Sequence, residues 1–271
     1  MFLMKPWMLA AGLLLASLSA AALEKENDWS LRIKQEAQGW VAKLHGNATY
    51  SGGSSHHRSK GSGVMVDKAR SVAPFSRVRL DGPVDAQLLQ SGSEGLHIVA
   101  DDNIEPLIET RVVGDTLVIS LKDGAGFSTR RAPYVRVDFK NLAGIELKGS
   151  GDLQLERIKS DALSLVLSGS GDLNIGLLEA RELSASLSGS GDVQLAGRAD
   201  VQSWQLSGSG DVSAQSLVGK NVKAQISGSG DLNLGVSDSL DVSLSGSGDL
   251  CYAGRPTIRQ SISGSGELCS R

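Results

Sequence analysis

The sequence has few cysteines, prolines and aromatic residues, and it has no excess of either charge. Its 271 residues include 2 Cys, 6 Pro and 11 aromatic side chains, and the formal net charge is −3. Near-balanced charge argues against nucleic-acid binding and anionic-membrane binding, which both require concentrated Lys and Arg. Apolar residues still make up 40% of the chain, so a folded core is expected rather than disorder. Composition alone names no activity.

Only the N-terminus carries a long apolar run. Residues 1–22 fit a secretory signal, with Lys5 before an apolar stretch from Trp7 to Leu18 and small residues at Ala20–Ala22. The run is shorter than the roughly 20 residues that a membrane-spanning helix needs. No later run is long enough to span, so we expect an exported protein without a transmembrane segment, in the periplasm or at the cell surface.

Residues 23–71 are predicted to be a helix followed by a Gly- and Ser-rich linker. Apolar residues recur every three or four positions over 28–45, which favours a helix that caps the next domain or docks to a partner or membrane. Residues 46–63 are polar and rich in Gly and Ser. They bring His56 and His57 near His45, but no Cys or carboxylate completes a metal site there.

The pattern changes to a period of two at Val72. Alternating apolar residues between Gly- and Asp-rich turns predict a series of strands over residues 72–148. The stretch 78–86 resembles a worn copy of the repeat described next, with Asp85 at its acidic position. We therefore predict one continuous domain over 72–271, with irregular first coils over 72–148.

A tetrad repeat occupies residues 149–271. Gly-Ser-Gly-Asp occurs six times and Gly-Ser-Gly-Glu once, at intervals of 20, 20, 19, 20, 18 and 18 residues. A period near 20 with strand-like alternation indicates a solenoid, in which stacked coils complete a shared core. Inward columns of Leu, Ile and Val alternate with outward polar residues, and Gly suits the tight corners. The predicted fold is an all-β parallel solenoid with coils of about 18–20 residues.

Two details favour stacking in this register. Trp204 falls between Ala185 and Ala224 in one inward column, as constant packing density requires. Cys251 and Cys269 occupy the same position in adjacent coils. Stacked strands lie roughly 4.8 Å apart, within the Cα separation that a disulfide accepts, and an exported chain meets oxidising conditions. We therefore predict a Cys251–Cys269 disulfide that fixes the last coil.

The tetrads and the stretch 75–121, which contains DDNI and GDTLVI, resemble the head GIN domain family of putative auto-transporter adhesins. The resemblance covers roughly residues 72–270. It implies an exported bacterial β-solenoid, expected to be right-handed, with an adhesive role and no established catalytic residues. Because the last coil runs to the end of the sequence, we expect that a transporter for an auto-transporter passenger is not on this chain.

The acidic residues of the tetrads are expected to form a ladder along one corner. Asp commonly accepts hydrogen bonds from turn N–H groups, and this structural role is the main interpretation. Calcium bound between coils is a weak alternative, because calcium-binding Gly-rich repeats place their acid differently. The acids concerned are Asp152, Asp172, Asp192, Asp211, Asp231, Asp249 and Glu267.

No catalytic motif accompanies these carboxylates. The coils contain no His, and the ladder offers equivalent acids rather than the differentiated pair that glycoside hydrolysis needs. We therefore predict a non-enzymatic protein without a cofactor, whose Gln, Asn and Ser columns bind a glycan or an envelope or surface protein. A carbohydrate-active β-helix enzyme is an alternative, with a cleft where residues 122–133 overhang the coils; Arg130 and Arg131 there could instead meet an anionic partner. A periplasmic interaction module anchored through 28–45 is another.

Overall fold

The computed structural model describes residues 33–36, 39–42, 50–53 and 58–271. Contacts divide the chain into two compact units, Met1–Gly46 and Asn47–Arg271. The predicted signal segment and the linker residues His45, His56 and His57 lie outside the described residues. Within the described part, no helix has the length and apolar character to cross a membrane.

The described part of the first unit is a pair of antiparallel strands. Strands β1 (Ile33–Glu36) and β2 (Gly39–Ala42) pair in register, with Ile33 opposite Ala42. The helix predicted over residues 28–45 is therefore wrong at these positions. Gly39 costs about 1 kcal/mol in a helix, and cross-strand bonds satisfy the backbone groups that a helix would have paired internally.

Part of the predicted linker also forms strands. Strands β3 (Tyr50–Gly53) and β4 (Arg58–Lys60) both pair with the later segment Gly126–Thr129. The linker prediction for residues 46–63 is wrong for these two strands. The same pairing corrects the predicted overhang of residues 122–133, because the centre of that segment is a strand whose Phe127 is buried.

The irregular part of the solenoid mixes parallel and antiparallel pairs. β5 and β12 flank β8 in antiparallel pairs, while β10 pairs with β6 in parallel and with β9 in antiparallel. A single 3₁₀ turn, Glu105–Leu107, follows β8. The strands are β5 (Met65–Ala69), β6 (Arg77–Asp81), β7 (Asp85–Gln90), β8 (Gly95–Asp101), β9 (Ile108–Val113), β10 (Thr116–Leu121), β11 (Gly126–Thr129), β12 (Tyr134–Phe139) and β13 (Gly144–Leu147).

Strands β6 and β7 form the first coil of the stack. β6 pairs in parallel with β13. β7 pairs in parallel with the first residues of the long strand that begins at Leu153, so that Ala86 lies opposite Leu153. Asp85 takes the acidic corner position, and its carboxylate accepts a hydrogen bond from the N–H of Asp152 at 3.0 Å. The similarity of residues 78–86 to the repeat therefore reflects real stacking on the regular coils.

The regular coils each consist of one long bent strand. The first residues of successive strands lie opposite one another in parallel register; they are Leu153, Leu173, Val193, Val212 and Leu232. This stacking confirms the predicted parallel solenoid. The strands are β14 (Leu153–Leu167), β15 (Leu173–Leu187), β16 (Val193–Leu206), β17 (Val212–Ile226) and β18 (Leu232–Leu244).

The last coil is split into shorter strands and closed by a disulfide. β19 (Leu250–Ala253) and β20 (Thr257–Ile262) both pair with β18, and β21 (Leu268–Ser270) pairs with β19. Cys251 and Cys269 are disulfide-bonded, with their Cα atoms 4.6 Å apart. The bond ties the terminal strand, which has a neighbour on one side only, to the preceding coil.

The core is a set of inward columns that run along the stack. Trp204 is 1% exposed and lies between Ala185 and Ala224 in the sheet register, as the sequence predicts. Its indole N–H donates to Oε1 of Gln202 at 2.9 Å. Gln202 is itself buried and donates to the carbonyl oxygen of Ala199, so the one polar side chain in this part of the core has partners.

The tetrad glycines are required by close stacking rather than by unusual backbone angles. None of them has a positive φ, although Gly82 at the first corner has φ 137°. A Cβ atom added to Gly189 would come within 3.0 Å of the backbone of Gly169 in the previous coil, and the other tetrad glycines meet their neighbours in the same way. The N–H of Ser190 donates to the carbonyl oxygen of Gly169 at 3.0 Å, which joins the corners directly.

Candidate binding face

The acidic residues of the corners form a hydrogen-bonded ladder, called here the acid column. In each step the Oδ1 atom of one acid accepts a hydrogen bond from the backbone N–H of the acid in the next coil, at 2.8–3.0 Å. Asp rather than Glu suits these corner positions because its shorter side chain holds the carboxylate next to the backbone N–H of the adjacent coil. The column consists of Asp85, Asp152, Asp172, Asp192, Asp211, Asp231, Asp249 and Glu267.

This geometry supplies the structural role expected for the acids. One carboxylate oxygen of each Asp is engaged by the backbone, while Oδ2 has no hydrogen-bond partner among the described residues. The calcium alternative gains no support, because no three His, Cys, Asp or Glu side chains within the described ranges converge on a metal position. The acid column is therefore a row of singly engaged carboxylates that can accept further hydrogen bonds.

The first acid of the column differs from the others in its surroundings. Asp85 is partly buried beside Tyr134, which lies opposite it on β12. The pKa of the Asp85 carboxyl is raised to about 6, mainly by burial; the hydrogen bond from the Asp152 N–H opposes the shift, and the negative charge of Asp152 adds to it. Burial likewise raises the pKa of Asp152.

This shift predicts a pH-dependent effect of Asp85→Asn. The folded pKa of about 6 lies above the ordinary 3.8, so the free energy of unfolding rises as pH falls through 6 and the gain is complete near pH 4. Asn keeps the acceptor oxygen but carries no charge. We expect Asp85→Asn to be more stable than the wild type by about 1–2 kcal/mol at pH 7.5, with the difference vanishing near pH 4. Thermal melts of both proteins across this range measure the effect.

The exposed carboxylate Asp81, near the same corner, supplies the control for net charge through Asp81→Asn. The same stabilisation in both variants, or a constant difference between Asp85→Asn and wild type at all pH values, would contradict the assignment.

A second row of polar side chains, the amide column, lies two residues beyond the acid column on the same outward side of the sheet. Its members are opposite one another in the register of successive strands. Nδ2 of Asn174 donates to Oε1 of Gln194 at 3.4 Å, a weak bond between coils. The column consists of Gln87, Gln154, Asn174, Gln194, Ser213 and Asn233. The acid column and the amide column together are the binding face.

Two amide oxygens on this face lack a donor. Oε1 of Gln154 and Oδ1 of Asn233 are shielded by their neighbours and have no hydrogen-bond partner among the described residues. A shielded acceptor without a donor costs about 1–3 kcal/mol. Both residues are themselves only partly buried, so each side chain lies where a ligand on the face can approach it.

The polar columns expected from the tetrad repeat correspond to the five amide-column residues from Gln154 to Asn233, whereas Gln87 precedes the tetrads and was missed. The sequence nevertheless contains a pattern that identifies Gln87, because the order acid, apolar, Gln, Leu in Asp85-Ala86-Gln87-Leu88 is repeated in Asp152-Leu153-Gln154-Leu155. The structure also extends this row beyond Gln87 to Arg136 and His97, which lie opposite one another on β12 and β8.

The charged end of the face is fixed by an ion-pair cluster. Nδ1 of His97 lies 2.8 Å from one carboxylate oxygen of Asp67, and the Arg136 guanidinium lies 3.1 Å from the other. Burial raises the pKa of Asp67, but the hydrogen bond to His97 and the charge of Arg136 outweigh it and hold the pKa below its usual value. Arg136 therefore stays oriented along the row that continues into the amide column.

Comparison with known families and structures gives matches over most of the chain. The family described as putative auto-transporter adhesin, head GIN domain, matches residues 74–256. No functionally curated protein matches the chain. The family match covers the irregular coils as well as most of the tetrad repeats.

Solved structures with the same fold come from Bacteroides and Parabacteroides species. A putative adhesin from Bacteroides fragilis is 27% identical with a TM-score of 0.74, covering 78% of this chain and 99% of its own. A putative adhesin from Parabacteroides distasonis is 24% identical with a TM-score of 0.65 over 79% and 100%. A putative lipid binding protein from the same species is 22% identical with a TM-score of 0.60 over 79% and 99%. The last two establish the fold alone.

Proposed function

Because this chain belongs to the head GIN domain family of putative auto-transporter adhesins, we propose that it is an exported, non-catalytic protein that binds a polar glycan along the binding face. The observation that carries this proposal is the amide column, a continuous row of five amides and one serine from Gln87 to Asn233 that lies beside a parallel row of carboxylates. The family supports a binding role, and the face identifies the groups that would bind.

The chemistry of the face suits a ligand with many hydroxyl groups. An amide both donates and accepts hydrogen bonds, and the Oδ2 atoms of the acid column accept them. A sugar hydroxyl also does both, so neighbouring hydroxyls can satisfy the two columns together. The unpartnered oxygens of Gln154 and Asn233 gain a donor when such a ligand lies on the column.

The repeated geometry supports binding rather than catalysis. Hydrolysis of a glycosidic bond needs an acid and a base in different environments at a set separation. The acids from Asp172 to Asp249 all make the same backbone contact, which gives a row of equivalent acceptors. An exported location agrees with the Cys251–Cys269 disulfide, which is stable in an oxidising compartment.

The proposal predicts that removing two adjacent amides weakens glycan binding. Asn174→Ala combined with Gln194→Ala deletes exposed side chains and leaves the core intact. Each lost hydrogen bond contributes about 0.5–1.5 kcal/mol, so affinity for a glycan that binds the wild type should fall about tenfold. Immobilised neutral oligosaccharides screened with the wild-type chain supply the ligand, and surface plasmon resonance measures the change.

A matched control uses the same two strands on another outward side. Ser186→Ala combined with Gln205→Ala also removes two neighbouring polar side chains, and these residues lie opposite one another on β15 and β16. This control should bind as the wild type does. Equal weakening of both double variants, or weakening of the control alone, would place binding elsewhere, and failure to bind any glycan in the screen would refute the proposal.

A further inference from the structure

A groove lies where the irregular coils meet β14, β15 and β16, away from the acid and amide columns. Its volume is about 690 Å³, within the range of small-ligand sites. One wall includes Gln90 and Asn141, and the floor includes the small or apolar residues Ser160, Ala180 and Leu177. The groove is large enough for one or two sugar rings.

The groove arises from a mismatch in coil length. The interval between tetrads drops from 20 to 19 residues at this point, and the pairing of β15 with β16 shifts between Ile175 and Leu178. Gly197 takes up the shift with φ 117°, and a Cβ there would overlap the backbone of Leu178. Leu177 lies within this register shift and lines the groove.

The wall is fixed by a set of three hydrogen bonds made by the side chain of Gln90. Nε2 of Gln90 donates to the carbonyl oxygens of Lys140 and Lys159 at 2.9 and 3.1 Å, and its Oε1 accepts from the N–H of Lys159 at 2.8 Å. Gln90 thus joins the connection after β12 to β14. Asn141, beside it, is exposed and keeps its amide available.

Charges of both signs alternate across the groove. One row consists of three residues that lie opposite one another on successive strands: Lys159, Glu179 and Arg198. Two residues further along β14 and β15, Asp161 and Arg181 form a second row in which the order of the charges is reversed. Arg181 pairs with Glu182 at 3.5 Å and Arg198 with Asp200 at 2.7 Å, both partners lying outside the lining.

The remaining charged groups of the lining are free to meet a ligand. Lys159, Asp161 and Glu179 form no ion pair with another described residue. The lining therefore presents an ammonium group and two carboxylates side by side. Ligand hydroxyls can donate to the two carboxylates, and an anionic group can pair with the ammonium group. A ligand that carries both kinds of group therefore matches the lining better than a simple anion or a neutral sugar does.

We infer that this groove binds an acidic saccharide of the uronic-acid type. The sugar carboxylate pairs with Lys159, supported by Arg181, while the sugar hydroxyls donate to Asp161 and Glu179 and bond to Asn141. The carbon faces of the ring rest on Leu177 and Ala180. The inference deepens the proposed function and rests on it for the choice of a saccharide, but the groove is a separate site from the binding face.

Two disaccharides that differ at one carbon test the inference on the full chain. Cellobiouronate carries a carboxylate where cellobiose has a hydroxymethyl group, and acetate supplies the anion without the hydroxyls. We expect calorimetry or NMR titration to show cellobiouronate binding at least tenfold more tightly than cellobiose, with acetate a poor competitor. Lys159→Ala should weaken cellobiouronate binding about tenfold and Asp161→Asn about threefold.

Lys223→Ala is the control, because Lys223 is an exposed lysine on a different outward row. It should leave the affinity unchanged. Equal binding of the two disaccharides, full competition by acetate, no binding at millimolar concentration, or equal loss in Lys223→Ala would each overturn the inference. The Asn174→Ala and Gln194→Ala double variant should keep this binding, so failure of the groove and failure of the binding face are distinguishable.

Discussion

Gly189→Ala is expected to lower the free energy of unfolding by about 3 kcal/mol or more, although it adds a single methyl group. The added Cβ would come within 3.0 Å of backbone atoms of Gly169 on one side, and Gly208 stacks on Gly189 from the other. Backbone atoms in hydrogen-bonded coils cannot step aside as a flexible side chain can. The corner must therefore open, and the hydrogen bond from the Ser190 N–H to the Gly169 carbonyl oxygen lengthens or breaks.

Ser190→Ala provides the control for this experiment at the adjacent position. Its side chain is exposed, so the change should stay within about 0.5 kcal/mol of the wild type. Urea unfolding compares the two variants, and hydrogen exchange locates the opening between the coils that contain Gly169 and Gly189. A Gly189→Ala protein as stable as Ser190→Ala would show that the corners are not held by backbone contact.

Trp204→Ala is the second large expected effect, a loss of about 3–5 kcal/mol. Among the residues with described side chains, Trp204 is the largest that is fully buried, and its neighbours along the column are Ala185 and Ala224, which cannot fill the space. The substitution also leaves Oε1 of buried Gln202 without the indole N–H that now donates to it.

Trp204→Phe separates the two contributions, because Phe keeps most of the volume and lacks the N–H group. It should be less damaging than Trp204→Ala, and part of the loss that remains comes from the Oε1 atom of Gln202, which has lost its donor. Gln205→Ala, an exposed neighbour, is the control. Thermal and urea unfolding that place Trp204→Ala within 1 kcal/mol of Gln205→Ala would contradict the packing described here.

The regular coils were predictable because each feature is local to the repeat. The tetrad spacing predicted the strand register, the small residues around Trp204 predicted its inward position, and the matching positions of Cys251 and Cys269 predicted their contact. Asp85 was recognisable as a corner acid from the order of its neighbours. In each case a fixed interval along the chain converts directly into adjacency in space.

The remaining features depend on contacts that no local pattern records. The strands Tyr50–Gly53 and Arg58–Lys60 form by pairing with Gly126–Thr129, more than 60 residues away. The periodicity over 28–45 satisfied a helical template, yet the backbone at Ile33–Glu36 pairs across a hairpin. The groove lies where the coil length drops by one residue, and one of its walls depends on the contact of Gln90 with Lys159; only the stacked register reveals either feature.

The most direct test of glycan binding along the binding face is affinity as a function of oligosaccharide length. The amide column from Gln87 to Asn233 spans five strand steps, or about 24 Å at roughly 4.8 Å per step. For a glycan selected by the screen, affinity should rise with each added sugar until the chain covers the column. In the double variant Asn174→Ala and Gln194→Ala, that rise should be lost. Affinity that is independent of length beyond a disaccharide, or a rise that the double variant retains, would contradict the account.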